Sequence, residues 1–104
     1  MVKKKIYKVV WDRNTLDEFI DILTFLEKQS RATPKIVKIA VLEKIAAIKK
    51  NPSICEVDKL KYPTDVAFRA FIVFSYRVTY QVKDEISEIR ILRIRNTSSE
   101  PLGY

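Results

Sequence analysis

A chain of 104 residues, 47% of them apolar and only one of them glycine, is long enough to bury one core and too short for two. No run approaches the roughly 18 consecutive apolar residues that span a bilayer, the lone Cys55 fits a reducing cytoplasm, and the absence of histidine removes Ser-His-Asp chemistry and the commonest zinc sets, so neither a metal nor another cofactor is expected. A formal charge of +7 points instead to a polyanion or an acidic protein as partner, bound by one domain over residues 1–104.

The basic start, MVKKKIYKVVW, is interrupted by Lys8 and runs into Asp12 and Arg13, which excludes a signal peptide. Lys3 to Trp11 predicts a strand, with Ile6, Val9 and Val10 among lysines that keep an edge wet. Thr15-Leu16-Asp17-Glu18 reads as a capping box, placing the Thr15 hydroxyl at the Glu18 amide. Leu16, Phe19, Ile20, Leu23 and Leu26, widened by Ile22 and Phe25, predict a broad and fully covered apolar helix face. Thr33-Pro34 opens a second helix, with threonine at the cap and proline at the first helical position. Val37, Val41, Ile45 and Ile48 form its stripe, and Asn51-Pro52 stops it. The short interval from Gln29 to Thr33 makes the two helices an antiparallel hairpin.

Glu56 to Lys61 predicts a short strand and Tyr62-Pro63-Thr64-Asp65 a turn. From Phe68 to Arg95 the chain reads as three strands joined by two tight turns, and five of its seven arginines fall in the last 36 residues. Phe68, Ala70, Ile72 and Phe74 share one face of their strand; Arg69, Phe71 and Val73 share the other. In the next strand Tyr76, Val78, Tyr80 and Val82 alternate with Arg77, Thr79, Gln81 and Lys83. We assign Arg69 and Arg77 together to the side away from the helices, where Phe71 and Val73 add exposed apolar groups suited to a protein partner. The last strand breaks parity, with Ile89 and Ile91 set against Leu92 and Ile94, which requires a bulge or burial on both faces. The expected fold class is α+β: an N-terminal strand, a helix hairpin, then a three- to four-strand antiparallel meander in one curved sheet with helices on one face.

Three segments resemble one known family. Ser75-Tyr76-Arg77-Val78-Thr79-Tyr80-Gln81-Val82 looks like a G-Y-R-hydrophobic-x-Y-x-V strand, Asp58-Lys59-Leu60-Lys61 like an x-K-L-x segment, and the run from Ile91 to Pro101 like an ILRVxHTSRxP ending. In this order they are similar to the RelE/ParE toxins of bacterial type II toxin-antitoxin modules. The resemblance implies a cytoplasmic toxin held inactive by a cognate antitoxin. It implies one of two activities: metal-independent cleavage of ribosome-bound mRNA, by 2′-hydroxyl attack to a cyclic phosphate, or inhibition of DNA gyrase. It places Arg77 on the scissile phosphate, Arg69 where a catalytic-site lysine sits one strand earlier, and the terminal Tyr104 against the RNA. Lys59, Lys61, Arg93, Arg95 and Asn96 become RNA or target contacts, and Phe71 and Val73 antitoxin contacts.

Asn96 stands where ribonuclease members carry arginine and many relatives histidine, and Ser99 replaces another basic residue. Phosphoryl transfer needs fixed positive charge on the developing oxyanion, so each loss raises the barrier. A bulge that turns Arg93 or Arg95 inward would let one of them substitute. The leading expectation is a ribosome-dependent mRNA endoribonuclease; the alternatives are a gyrase inhibitor of the same fold and a catalytically degenerate relative.

Overall fold

Period-two alternation in the last third of the chain and three- and four-residue spacing in its first half give a layer of two helices on a sheet. The computed structural model describes residues 6–58 and 65–97. Strand β1 (Lys8–Trp11) leads into α1 (Arg13–Glu27) and α2 (Ala32–Lys50); β2 (Glu56–Val57), β3 (Phe68–Val73), β4 (Tyr76–Lys83) and β5 (Glu88–Asn96) follow. They form one five-stranded sheet in the order β1-β5-β4-β3-β2. The meander is antiparallel, as expected, but β1 joins β5 in parallel, so the sheet is mixed. The described part of the first predicted strand begins at Lys8 rather than Lys3, and the predicted 62–65 turn lies outside the described residues except for Asp65.

The core lies between the helices and one sheet face. Val37, Val41, Ile45 and Ile48, the whole stripe expected of α2, meet Phe71, Val78, Tyr80, Ile89, Ile91 and Ile94 there, and Trp11 stacks on Phe19 at 5.3 Å. Tyr80 reaches beneath the sheet to donate its hydroxyl to the Pro52 carbonyl at 2.9 Å. The face of α1 is narrower than expected: Phe19 and Leu26 are buried, while Leu16, Ile20 and Phe25 remain exposed.

Neither threonine cap forms. Helix α1 starts after Asp12, whose carboxylate accepts from Arg90 at 3.0 Å instead of capping the helix. Thr15 therefore sits inside the first turn, 1% exposed, and donates its hydroxyl to the Leu92 carbonyl at 2.6 Å. Helix α2 begins at Ala32, whose amide donates to the Ser30 hydroxyl at 3.3 Å, so Thr33 and Pro34 are already helical. Proline costs little there, because first-turn amides have no intrahelical acceptor.

Leu92 is also where β5 changes parity. Thr79 pairs with Arg93 and Tyr80 with Ile91, leaving Leu92 as the extra residue of a bulge. The bulge, rather than burial on both faces, explains why Ile91 and Ile94 both enter the core. The β3–β4 turn departs from expectation as well. Phe74 leaves the strand at φ 56° and is 63% exposed, a left-handed position that costs a bulky residue about 1–2 kcal/mol.

Thr15→Val keeps the shape of the side chain and orphans the bulge carbonyl. We expect a loss of about 1–3 kcal/mol in urea unfolding; an unchanged midpoint would show that the hydroxyl does not hold the bulge. Burial raises the phenols of Tyr76 and Tyr80, and the hydrogen bond to Asp84 does the same for Tyr7. Their unfolded value is 10.0, so the stability these groups lend is complete below pH 10 and declines as pH rises above it. Thermal melts from pH 8 to 11 should show that decline, and Tyr7→Phe should make it shallower.

Candidate anion-binding face

Side chains paired across a sheet share a face, so the register decides which groups meet. Arg69 opposite Tyr80, Phe71 opposite Val78 and Val73 opposite Tyr76 stand on the helix-covered side. Ile72, Arg77 and Arg95 form one row of the other, outer face, and Ala70, Thr79 and Arg93 form the next. This overturns the expected pairing of Arg69 with Arg77. Arg69 points under the sheet, where it donates to the carbonyls of Cys55 at 2.7 Å and Ser53 at 3.5 Å and ties down the loop after α2. Phe71 and Val73 are likewise not exposed on the outer face: Phe71 is 6% exposed in the core and Val73 packs against it. The apolar groups that are exposed at this end of the sheet are Ile72, at 56%, and Phe74.

The outer face collects arginine. Arg77 and Arg95 are directly opposed on β4 and β5, a like-charge pair that is unfavourable without an anion nearby. The anion at Arg77 is internal. Its Nη2 donates to the Asp58 carboxylate, whose side chain is fully buried, while the Arg77 side chain keeps 16% exposure and its buried Nε has no hydrogen-bond partner. Arg90 is neutralised differently, by Asp12 at 3.0 Å and Glu88 at 3.3 Å, and the hydrogen bond it donates to Asp12 raises its pKa further.

Three of the residues expected at the target surface do come together. Arg93, Arg95 and Asn96 line a cleft of about 340 Å³ between β5 and α1, facing Glu18, Asp21 and Ile22. Lys59, Lys61, Ser99 and Tyr104 lie outside the described residues. Asp58 entered the sequence reading only as part of a short motif. Its partner is 19 residues away, which no periodicity reveals. On β3 the neighbours of Arg77 on the outer face are Ile72, directly opposite, and Ala70, neither of which can transfer a proton. Among the described residues there is no cluster of three or more histidine, cysteine or acidic side chains that could hold a metal, and no helix is long and apolar enough to cross a membrane.

A helix hairpin on one side of a small mixed sheet, with arginines on the other, is a RelE-like architecture. The family model for the ParE toxin of the type II toxin-antitoxin system parDE matches residues 9–101, and the chain belongs to the RelE/ParE toxin family. The isolated RelE toxin of E. coli superposes with a TM-score of 0.63 at 16% identity, over 92% of this chain and 89% of that one. The RelBE2 toxin-antitoxin complex from Mycobacterium tuberculosis gives 0.64 at 16%, over 90% and 94%. The archaeal RelE-RelB complex from Pyrococcus horikoshii gives 0.63 at 18%, over 91% and 99%. No curated protein matches this sequence.

Because Arg69 supports a loop, Arg69→Ala should lower stability by about 1–3 kcal/mol and leave the affinity of the folded protein for heparin within about twofold. A large drop in heparin affinity without a shift in the melting curve would return Arg69 to the binding face.

Proposed function

We propose that this chain is a growth-inhibiting toxin that engages RNA phosphates through the outer face of its sheet and cleaves the strand by 2′-hydroxyl attack. The observation that carries the reading is the row Arg77–Arg95, which brings two guanidiniums to one place on an accessible face, with Arg93 in the adjoining row. Guanidiniums match phosphate oxygens bidentately and carry a fixed charge for the developing oxyanion. The phosphate clamp is thus Arg77 with Arg95, and Arg95 takes the part first assigned to Arg69. Lys59 and Lys61 are the candidates for a general base, Tyr104 for positioning the RNA, and Asn96 for a neutral contact at the cleft.

The partner that holds the toxin inactive is a cognate antitoxin, in keeping with the RelBE complexes of the same fold. The exposed Ile72 and Phe74 replace Phe71 and Val73 as the apolar contacts offered on the arginine-bearing side. A second reading, inhibition of DNA gyrase without cleavage, is favoured by the apolar character of Ala70 and Ile72 beside Arg77. Protein recognition uses such mixed arginine-apolar surfaces and needs no acid or base.

Induction of the wild-type chain should arrest growth and leave new mRNA ends inside codons on ribosomes. Arg95→Ala should reduce that cleavage by about 10²-fold or more while the protein melts normally; Arg77→Ala strands the buried Asp58 carboxylate and lowers stability, so the same loss is to be read in Arg77→Ala combined with Asp58→Asn. Relaxed plasmid DNA with intact mRNA would move the assignment to gyrase, and full toxicity of Arg77→Ala would remove the clamp.

A further inference from the structure

The ion pair between Arg77 and Asp58 is an odd feature for stability alone. Desolvating a carboxylate and a guanidinium together commonly gains nothing over an apolar pair of the same size. Here the guanidinium is also incompletely satisfied, since its buried Nε lacks a partner. The carboxylate comes from an unusual place. Asp58 follows β2, an edge strand of two residues, and is tied to the sheet by its amide, which donates to the Phe68 carbonyl at 2.7 Å. The pair therefore joins a long central strand to the shortest strand of the sheet.

We propose that Asp58 is an internal latch: its carboxylate holds the oxyanion position of Arg77, and a phosphate group gains that position only when the β2 segment lifts from β3. An attached carboxylate competes at a high effective concentration, so a single phosphate displaces it poorly, whereas a ligand that also meets Arg95 has a second attachment. The isolated chain then rests closed, and part of its binding free energy for a phosphodiester is spent in opening. The inference builds on the outer face as the phosphate-binding side but fails separately from it. If Arg77→Ala abolishes toxicity and Asp58→Asn changes nothing, the toxin stands and the latch falls.

The test uses the purified chain and a fluorescent 2′-O-methyl RNA hexamer, which cannot be cleaved by 2′-hydroxyl attack. Asp58→Asn should bind it about tenfold more tightly than wild type, because no free energy is spent in displacing the carboxylate. Glu56→Gln makes the same charge change from a neighbouring strand position and should alter affinity by no more than about twofold. Arg77→Ala in the Asp58→Asn background should erase the gain. Inorganic phosphate, which has no second attachment, should displace the hexamer from the wild type poorly; ready displacement would count against the latch.

A second arm needs no change at Asp58. Glu56 and Ala70 are directly opposed, so Glu56→Cys with Ala70→Cys, in a Cys55→Ala background, can form a disulfide that pins β2 down. Oxidation should abolish hexamer binding and reduction restore it. Equal binding by the oxidised and reduced forms, or an equal gain in Asp58→Asn and Glu56→Gln, would overturn the proposal.

Discussion

One hydrogen bond from helix α1 to the last strand fixes where the arginines go. Thr15 donates to the carbonyl of Leu92, the extra residue of the β5 bulge. Upstream of it Ile89 and Ile91 face the core, and regular alternation would send Arg93 and Arg95 in after them. With one residue added, Ile94 enters the core and both arginines swing to the face that carries Arg77. A bulge leaves its own peptide groups without ladder partners, and a buried carbonyl of that kind is costly unless something donates to it. The Thr15 hydroxyl supplies the donor, and the Asp12 amide, donating to the Ile91 carbonyl at 3.0 Å, secures the adjoining peptide. Charge placement on the outer face is therefore governed from the opposite layer of the molecule.

The same logic shows what was legible in the sequence. Helix stripes and strand alternation depend on neighbours a few residues apart, so Val37–Ile48 and the β3–β4–β5 meander could be read directly. The parity break of β5 was also visible as an irregularity, whereas the left-handed Phe74 was not. What could not be read is which face of β3 meets the helices. Phe68, Ala70, Ile72 and Phe74 are as apolar as Phe71 and Val73, and only the cross-strand register decides between them. Choosing the wrong face exchanged Arg69 for Arg95 as companion to Arg77. The threonines failed as caps for a related reason: a hydroxyl at a helix start has two uses, and the more distant acceptor won at Thr15.

The outer face is better described as a set of compensated charges than as a bare basic surface. Arg90 is held between Asp12 and Glu88, and Arg77 by Asp58, while Arg93 and Arg95 share a cleft with Glu18 and Asp21. Glu18 and Asp21 come from α1, Asp12 from its start, Asp58 from just after β2 and Glu88 from β5 itself. A net charge of +7 therefore overstates the field at any one arginine, because the excess charge is distributed over lysines elsewhere, including those along α2.

The parallel pairing of β1 with β5 has a consequence for synthesis. Tyr7 bonds Asp84 and Thr15 bonds Leu92, each across 77 residues, and Asp12 meets Arg90 across 78. Among the described residues, the first strand has no hydrogen-bonding neighbour in the sheet other than the last. During translation it must wait, with α1 incompletely anchored, until β5 has left the ribosome. Contacts of such long range slow folding and leave the unfinished chain accessible. The folded sheet thus comes into being only after β5 has been made.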